Sequence, residues 1–221
     1  MKILVFDTEA TGLPTEKNAS ILEQGKWPYI VQLSYIFYNT ETKSIIKVKD
    51  DIIKLPENIF PSEKSVEIHG ITKENSDKIG INIKQALKEF NECLKESDYI
   101  IGHNLSFDKR LIMVECNRNK IKQYFTTNGV RKLEFCTMKN STNLCKIESI
   151  SKVTGEKYFK YPSQSELHNY LFGYIPSGLH NAMADVIVCL RCYIKIMYDR
   201  DILAQNTELL RLYNNYCKVG N

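Results

Sequence analysis

Four apolar residues, Ile3-Leu4-Val5-Phe6, run without a break into two acids one residue apart, Asp7 and Glu9. No other stretch limits the fold so tightly. A continuous apolar run of this kind reads as a strand buried on both faces. Side chains alternate across a strand, so the two carboxylates point to the same side at its end. Thr11-Gly12 then supplies turn chemistry that stops the strand. Two acids on one side of a buried strand repel each other and are costly to leave unpaired. A divalent metal ion is the natural counter-charge.

The 221 residues suit one domain with a proper core. A net charge of +4 permits an acidic polymer as partner without requiring one. The seven cysteines are odd in number and scattered, which points to free thiols in a reducing cytoplasm. No targeting segment is expected before the first strand, and no apolar run approaches membrane-spanning length, so no membrane partner is expected. Cys189 and Cys192 form the one C-x-x-C pair. They sit in an apolar helical pattern with no second pair, and read as core thiols rather than a zinc or redox site.

Along the chain, a polar excursion over 14–26 precedes a second strand, Trp27 to Tyr38, rich in β-branched and aromatic residues. A turn over 39–42 leads to a third, antiparallel strand, Ile45 to Val48. Asp50 to Pro61 reads mostly as loop. A short helix is expected over 62–68, ended by Gly70, and a turn or a second short helix over 72–78. Ile83, Ala86, Leu87, Phe90 and Leu94 give a helix from Ile83 to Glu96. Tyr99 to Gly102 is a buried strand, parallel to the first by the helix-then-strand order. Asn104 or Ser106 caps the next helix. Further expectations are a strand Lys132 to Cys136, a helix Ser163 to Phe172, a long helix starting at His180 or Asn181, and a last helix Ile202 to Tyr216.

Two later stretches carry chemistry. Asp108 lies in the opening turns of the helix after the Tyr99–Gly102 strand. His180 precedes Asp185 by five residues where the long helix begins. Taken singly, Asp108 and Asp185 are acids that complement a helix dipole, and His180 is a loop histidine. The segment 117–160 holds ten basic residues against three acids, with Tyr124, Phe125, Tyr158 and Phe159 interleaved and Tyr161 just beyond. It is either a phosphate-tracking surface with stacking platforms or a solvated basic face over core aromatics.

Taken together, D-x-E at the first strand (Asp7, Glu9), N-x-x-F-D after a later strand (Asn104 to Asp108) and H-x-x-x-x-D on a late helix (His180, Asp185) resemble the DEDDh family of 3′-to-5′ exonucleases. Phe6 to Leu13 matches the family's first motif, with Ala10 where Thr is usual. Ile68 to Thr72 matches a secondary element. Trp27-Pro28 with Ile30 to Leu33, Cys136 to Lys139, and Pro162-Ser163 with Ser165 to Leu167 look like a branch similar to the epsilon subunit of DNA polymerase III.

The resemblance implies an α/β, ribonuclease H-like fold: a mixed central β-sheet, part antiparallel meander and part parallel, flanked by helices. It implies an exonuclease domain over 1–200 and a C-terminal helix over 201–221 packed on it. It implies two divalent cations, Mg²⁺ or Mn²⁺, held by Asp7, Glu9, Asp108 and Asp185, with His180 as general base. Hard oxygen ligands suit those ions. Thr8, Ala10, Thr11, Gly12 and Leu13 would hold the terminal nucleotide, His69 would lie near the 3′ end, and His103, Asn104 and Phe107 would line the strand's path. At Ala10 any contact would be through backbone or methyl, not a hydroxyl. The expected partner is a single-stranded nucleic-acid 3′ end, DNA favoured over RNA, with a polymerase as a further partner. The alternatives are an exoribonuclease and a docking module with little activity.

Overall fold

In the computed structural model, which describes residues 1–217, the first strand, β1 (Lys2–Ala10), lies in the middle of a five-stranded sheet. β2 (Ile30–Asn39) and β3 (Ser44–Ile52) complete an antiparallel meander with it. Helices α1 (Glu63–His69), α2 (Lys73–Ile79) and α3 (Ile83–Glu96) come next. β4 (Tyr99–Gly102) returns parallel to β1, and α4 (Leu105–Arg118) leaves its end. A hairpin of β5 (Thr126–Thr127) and β6 (Val130–Arg131) precedes β7 (Leu133–Cys136), which is parallel to β4. Two single turns, α5 (Thr137–Asn140) and α6 (Thr142–Cys145), lead to a second hairpin, β8 (Glu148–Ile150) and β9 (Lys157–Phe159). Helices α7 (Gln164–Phe172), α8 (Ala182–Tyr198) and α9 (Thr207–Tyr216) end the described chain. The sheet order is β3-β2-β1-β4-β7.

The apolar run of β1 is continuous because each face of the sheet has its own core. Leu4 and Phe6 pack with α3 and α4 through Phe90, Leu94, Leu111 and Ile112. Ile3 and Val5 pack with α8 and α9 through Met183, Val186, Leu190 and Leu209. A side chain such as Phe6, fully buried, contributes on the order of 2–3 kcal/mol. Parity along β1 also sets the direction of its polar end. Asp7 and Glu9 continue the odd-numbered face, toward α8, and Thr8 continues the even-numbered face, toward α4.

Several expectations shift in detail. β3 runs to Ile52, so Asp50 and Asp51 belong to a strand rather than a loop. Asp50 is held there by Gln32 Nε2 and Ser34 Oγ, each donating to its Oδ1 at 2.7 Å. Asn104 stands at the start of α4 with φ 62°, but its side chain makes no capping bond, and Ser106 lies inside the helix. The expected last helix is two elements, a 3₁₀ turn Ile202–Ala204 and α9, because Asn206 breaks the run and caps α9 through Leu209 N. The seven cysteines are free, and Cys189 and Cys192 are buried in the α8 core. No helix among the described residues is long and apolar enough to cross a membrane.

Candidate active site

The parallel pairing of β1 with β4 stops at Val5 opposite Ile101. Beyond that point β1 runs on alone on this side, and its last residues border an open groove at the carboxyl ends of two parallel strands. This is the usual place for a site in an α/β sheet. On the other side, the β1–β2 register places Asp7 opposite Ser34 and Glu9 opposite Gln32, then slips at a bulge between Glu9 and Ala10. Bulges of this kind re-aim side chains near functional sites.

Asp7 and Glu9 meet Asp185 from the first turn of α8. Carboxylate oxygens of the three lie within 4.8 Å of one another. Asp108 enters from the opposite face of the sheet, as parity requires. Its Oδ1 accepts from Thr8 N (3.1 Å) and Thr8 Oγ1 (2.6 Å), so it lines the same groove without joining the tight trio. Asp185 is oriented by two donors. Its Oδ2 accepts from His180 N (2.8 Å), and its Oδ1 accepts from Gln164 Nε2 (3.1 Å), which also donates to the Asp185 carbonyl (2.7 Å).

Burial, reinforced by repulsion from Asp108, Asp185 and Glu9, pushes the Asp7 carboxyl well above the ordinary carboxylate range. Burial followed by repulsion from Asp185 and Asp108 lifts Glu9 to about 8. Burial lifts Asp108 to about 7 against the opposing bonds from Thr8, and lifts Asp185 to about 7 against the bond from His180 N. Four acids share one groove, and no cation of the protein pairs with the Asp7, Glu9 and Asp185 carboxylates among the described residues. The donor set is all carboxylate oxygen, which fits hard divalent cations such as Mg²⁺ or Mn²⁺.

His180 is exposed and adopts φ 72°, unusual for a residue with a side chain. Its loop is wedged from behind. Gly178, at φ 83°, lies so close to Tyr216 of α9 that a Cβ there would sit 2.1 Å from the Tyr216 carbonyl oxygen. The Tyr216 hydroxyl in turn donates to Asp50 Oδ2 (2.8 Å). Gln32 joins the same frame, its Oε1 accepting from Ala182 N (3.1 Å) at the start of α8.

Two hollows meet at the carboxylates. The groove of about 460 Å³ holds Asp7, Glu9, His103, Asn104, Asp108, His180 and Asp185. A cleft of about 330 Å³ lies beside it, lined by Ala10, Gly12, Leu13, Ile68 and His69. Thr8, Glu9 and Phe107 border both. Leu13 is 82% exposed at the mouth. Thr11 is a stitch: its hydroxyl accepts from Tyr29 N and its carbonyl from Ser62 N.

Two of the histidines near these hollows are committed to the protein. His69 Nε2 donates to the Ala10 carbonyl (3.2 Å) while Nδ1 accepts from Ile71 N. His103 Nε2 donates to the Pro162 carbonyl (3.1 Å) while Nδ1 accepts from the Thr137 hydroxyl. Burial holds His103 down at about 4, so it is a neutral tie.

Gln164, Lys160 and Tyr161 also line the groove; the sequence reading names Lys160 and Tyr161 only with the basic, aromatic segment and does not name Gln164. Gln164 reads in sequence only as a first-turn residue after the capping Ser163. Gln32 did leave a signal, as a polar residue in the interior of a strand buried along nearly its whole length.

The RNase_T family model, described as an exonuclease, matches residues 4–193. No curated protein matches. Among solved structures, E. coli exonuclease I in complex with a dT13 oligonucleotide aligns with a TM-score of 0.66 at 19% identity, over 95% of this chain and 45% of that one. The same enzyme with a dA16 oligonucleotide gives 0.64 at 18% identity, over 95% and 45%. The zinc-bound form of its complex with single-stranded DNA gives 0.64 at 20% identity, over 95% and 44%. The likeness is one of fold, the ribonuclease H-like mixed sheet with flanking helices. The chain spans less than half the length of these structures.

Proposed function

The chain belongs to the RNase_T family of exonucleases, and on that premise we propose that it removes nucleotides one at a time from the 3′ end of single-stranded DNA. One observation carries this reading. Asp7, Glu9 and Asp185 converge within 4.8 Å with no pairing cation among the described residues, beside an open groove and an exposed imidazole. The single-stranded DNA oligonucleotides bound to E. coli exonuclease I support DNA as the polymer.

In this reading Asp7, Glu9, Asp108 and Asp185 hold two divalent cations. When bound, such ions offset the negative charge that builds on the attacking and leaving oxygens of phosphodiester hydrolysis. The rest is the work of the chain. Thr8 fixes Asp108, and Gln164 with the His180 backbone fixes Asp185, so the acids are set before any ion arrives. His180 takes the proton of the attacking water, a role in which imidazole is the commonest side chain. The cleft beside Ala10, Gly12 and Leu13 receives the terminal nucleotide, with Leu13 wedged against its base. His69 acts on that cleft indirectly, by holding the Ala10 carbonyl. Asn104 and Phe107 border the strand's path. The product is a nucleoside 5′-monophosphate.

The test uses 3′-labelled single-stranded DNA, mismatched duplex DNA and RNA, each with Mg²⁺, with Mn²⁺ and with chelator. Single-stranded DNA should be shortened fastest, with label released as mononucleotide, and chelator should abolish release. Faster loss from RNA would make the chain an exoribonuclease. Binding without shortening under every metal condition would make it a docking subunit for a polymerase or for nucleic acid.

A further inference from the structure

The β8–β9 hairpin supplies none of the carboxylates, yet its outgoing strand runs straight into the groove. β8 and β9 pair with each other and not with the main sheet. The ladder continues one step, with Lys160 N donating to the Ile147 carbonyl at 3.0 Å. Lys160, Tyr161 and Pro162 then form part of the groove wall. His103 clamps this junction from the site side, through its bond to the Pro162 carbonyl. Lys160 is held in place by Glu166 at 2.6 Å.

The surface of this hairpin is unusual for a solvated loop. Tyr158 is 50% exposed, Phe159 43% and Tyr161 57%. Lys157 and Phe159 lie two residues apart in β9 and so share one face. Tyr158 is on the other face. Lys146 and Lys152 make no ion pair among the described residues, and the Lys157 pair with Glu148 is a solvated one. The other aromatics of the basic segment behave differently: Phe125 is buried in the core and Tyr124 packs against it.

Exposed rings interleaved with lysines are what a flexible polyanion with π-faced bases requires: stacking platforms for the bases and cations for the phosphates. Continuity with the groove says which part of the polymer arrives there. We propose that the β8–β9 hairpin is an arm that grips the single strand upstream of the nucleotides in the groove. Phe159 and Tyr161 stack its bases, and Lys152 and Lys157 meet its phosphates. This rests on the reading of the groove as a site for single-strand 3′ ends. It adds that the protein measures more strand than the reaction needs.

The test is binding in chelator, where no strand is cut, of fluorescent dT3 and dT12 to the wild type, to Phe159→Ala and to a Lys152→Ala/Lys157→Ala double variant. Melting temperatures confirm folding. The wild type should hold dT12 more tightly than dT3. Phe159→Ala should lose roughly tenfold of that advantage, the scale of one stacked base. The lysine variant should flatten the salt dependence of dT12 binding by about 1.4 log units per decade, two phosphates at about 0.7 each. If the wild type favours dT12 and both variants keep its advantage and its salt slope, the arm is not on the strand's path and the proposal fails while the groove reading stands. If the wild type binds neither length, the groove reading fails and the proposal with it.

Discussion

Asp185 and Arg191 lie six residues apart on α8, and the protein surrounds them in opposite ways. Arg191 is buried and fully matched. Its Nε and Nη2 donate to the two oxygens of Asp201 at 3.0 and 2.6 Å. Its Nη1 donates to the Tyr174 hydroxyl and to His168 Nε2, whose other nitrogen donates to the Tyr174 carbonyl. Phe172 lies against the guanidinium at 3.8 Å. Asp185 instead faces Asp7 and Glu9, with Asp108 close by, and no counter-ion among the described residues. A charge that serves the fold carries its partner within the chain. A cluster that carries none must take its partner from solution, and that separates a structural buried charge from a functional one.

The comparison breaks most sharply at its two poles. Asp7→Asn should lower hydrolysis of 3′-labelled single strands by roughly 10³-fold or more, by removing charge stabilisation that acts in the transition state. The metal-free protein should melt no lower than the wild type, since one repelling charge is gone. Turnover near the wild-type rate would overturn the assignment of the acids. Arg191→Met should do the reverse. Breaking its charge-assisted bonds to the part-exposed Asp201 should destabilise by about 2–3 kcal/mol in urea unfolding, with turnover per folded molecule nearly unchanged. A stable Arg191→Met variant with lost activity would mean the two regions are not separate in function.

A smaller effect comes from the raised acids. In the unfolded chain such carboxyls titrate near pH 4, but in the fold Glu9 is lifted to about 8 and Asp185 to about 7, by burial first. A carboxyl whose folded value is raised favours the fold most where it is protonated in both states. That contribution is lost as pH rises through the folded value. In chelator the melting temperature should therefore drop by roughly 3 °C more between pH 6.5 and 8.5 in the wild type than in Asp7→Asn/Glu9→Gln. Mg²⁺ should restore more at pH 8.5 than at 6.5. Equal pH slopes for the two proteins would remove the repulsion from the account.

The opening strand was legible because nearly everything about it is local: the apolar run, the parity of Asp7 and Glu9, and the turn after it. Asp108 and Asp185 were legible only as members of a pattern, since each alone is a common helix-start acid. What orients them was not. Gln164 reaches Asp185 from 21 positions earlier, and the motif that flanks it, Pro162-Ser163 with Ser165 to Leu167, does not say that its amide meets an acid. β3 was read too short because Lys49, Asp50 and Asp51 look like a loop. On an edge strand such charges are how the exposed side is kept from pairing. The two hairpins escaped because strands of two or three exposed residues leave no periodic trace.

Gly178, with no room for a methyl group against Tyr216, works like a gauge block: it sets the spacing between α9 and the loop that carries His180. Because Tyr216 is also tied to Asp50 on β3, the reference for that spacing is the edge strand of the sheet, not the groove. The His180 loop is thus aligned from behind by residues that do not line the groove. In the proposed mechanism, drift in the C-terminal helix would appear first as a misplaced base, before any change among the acids.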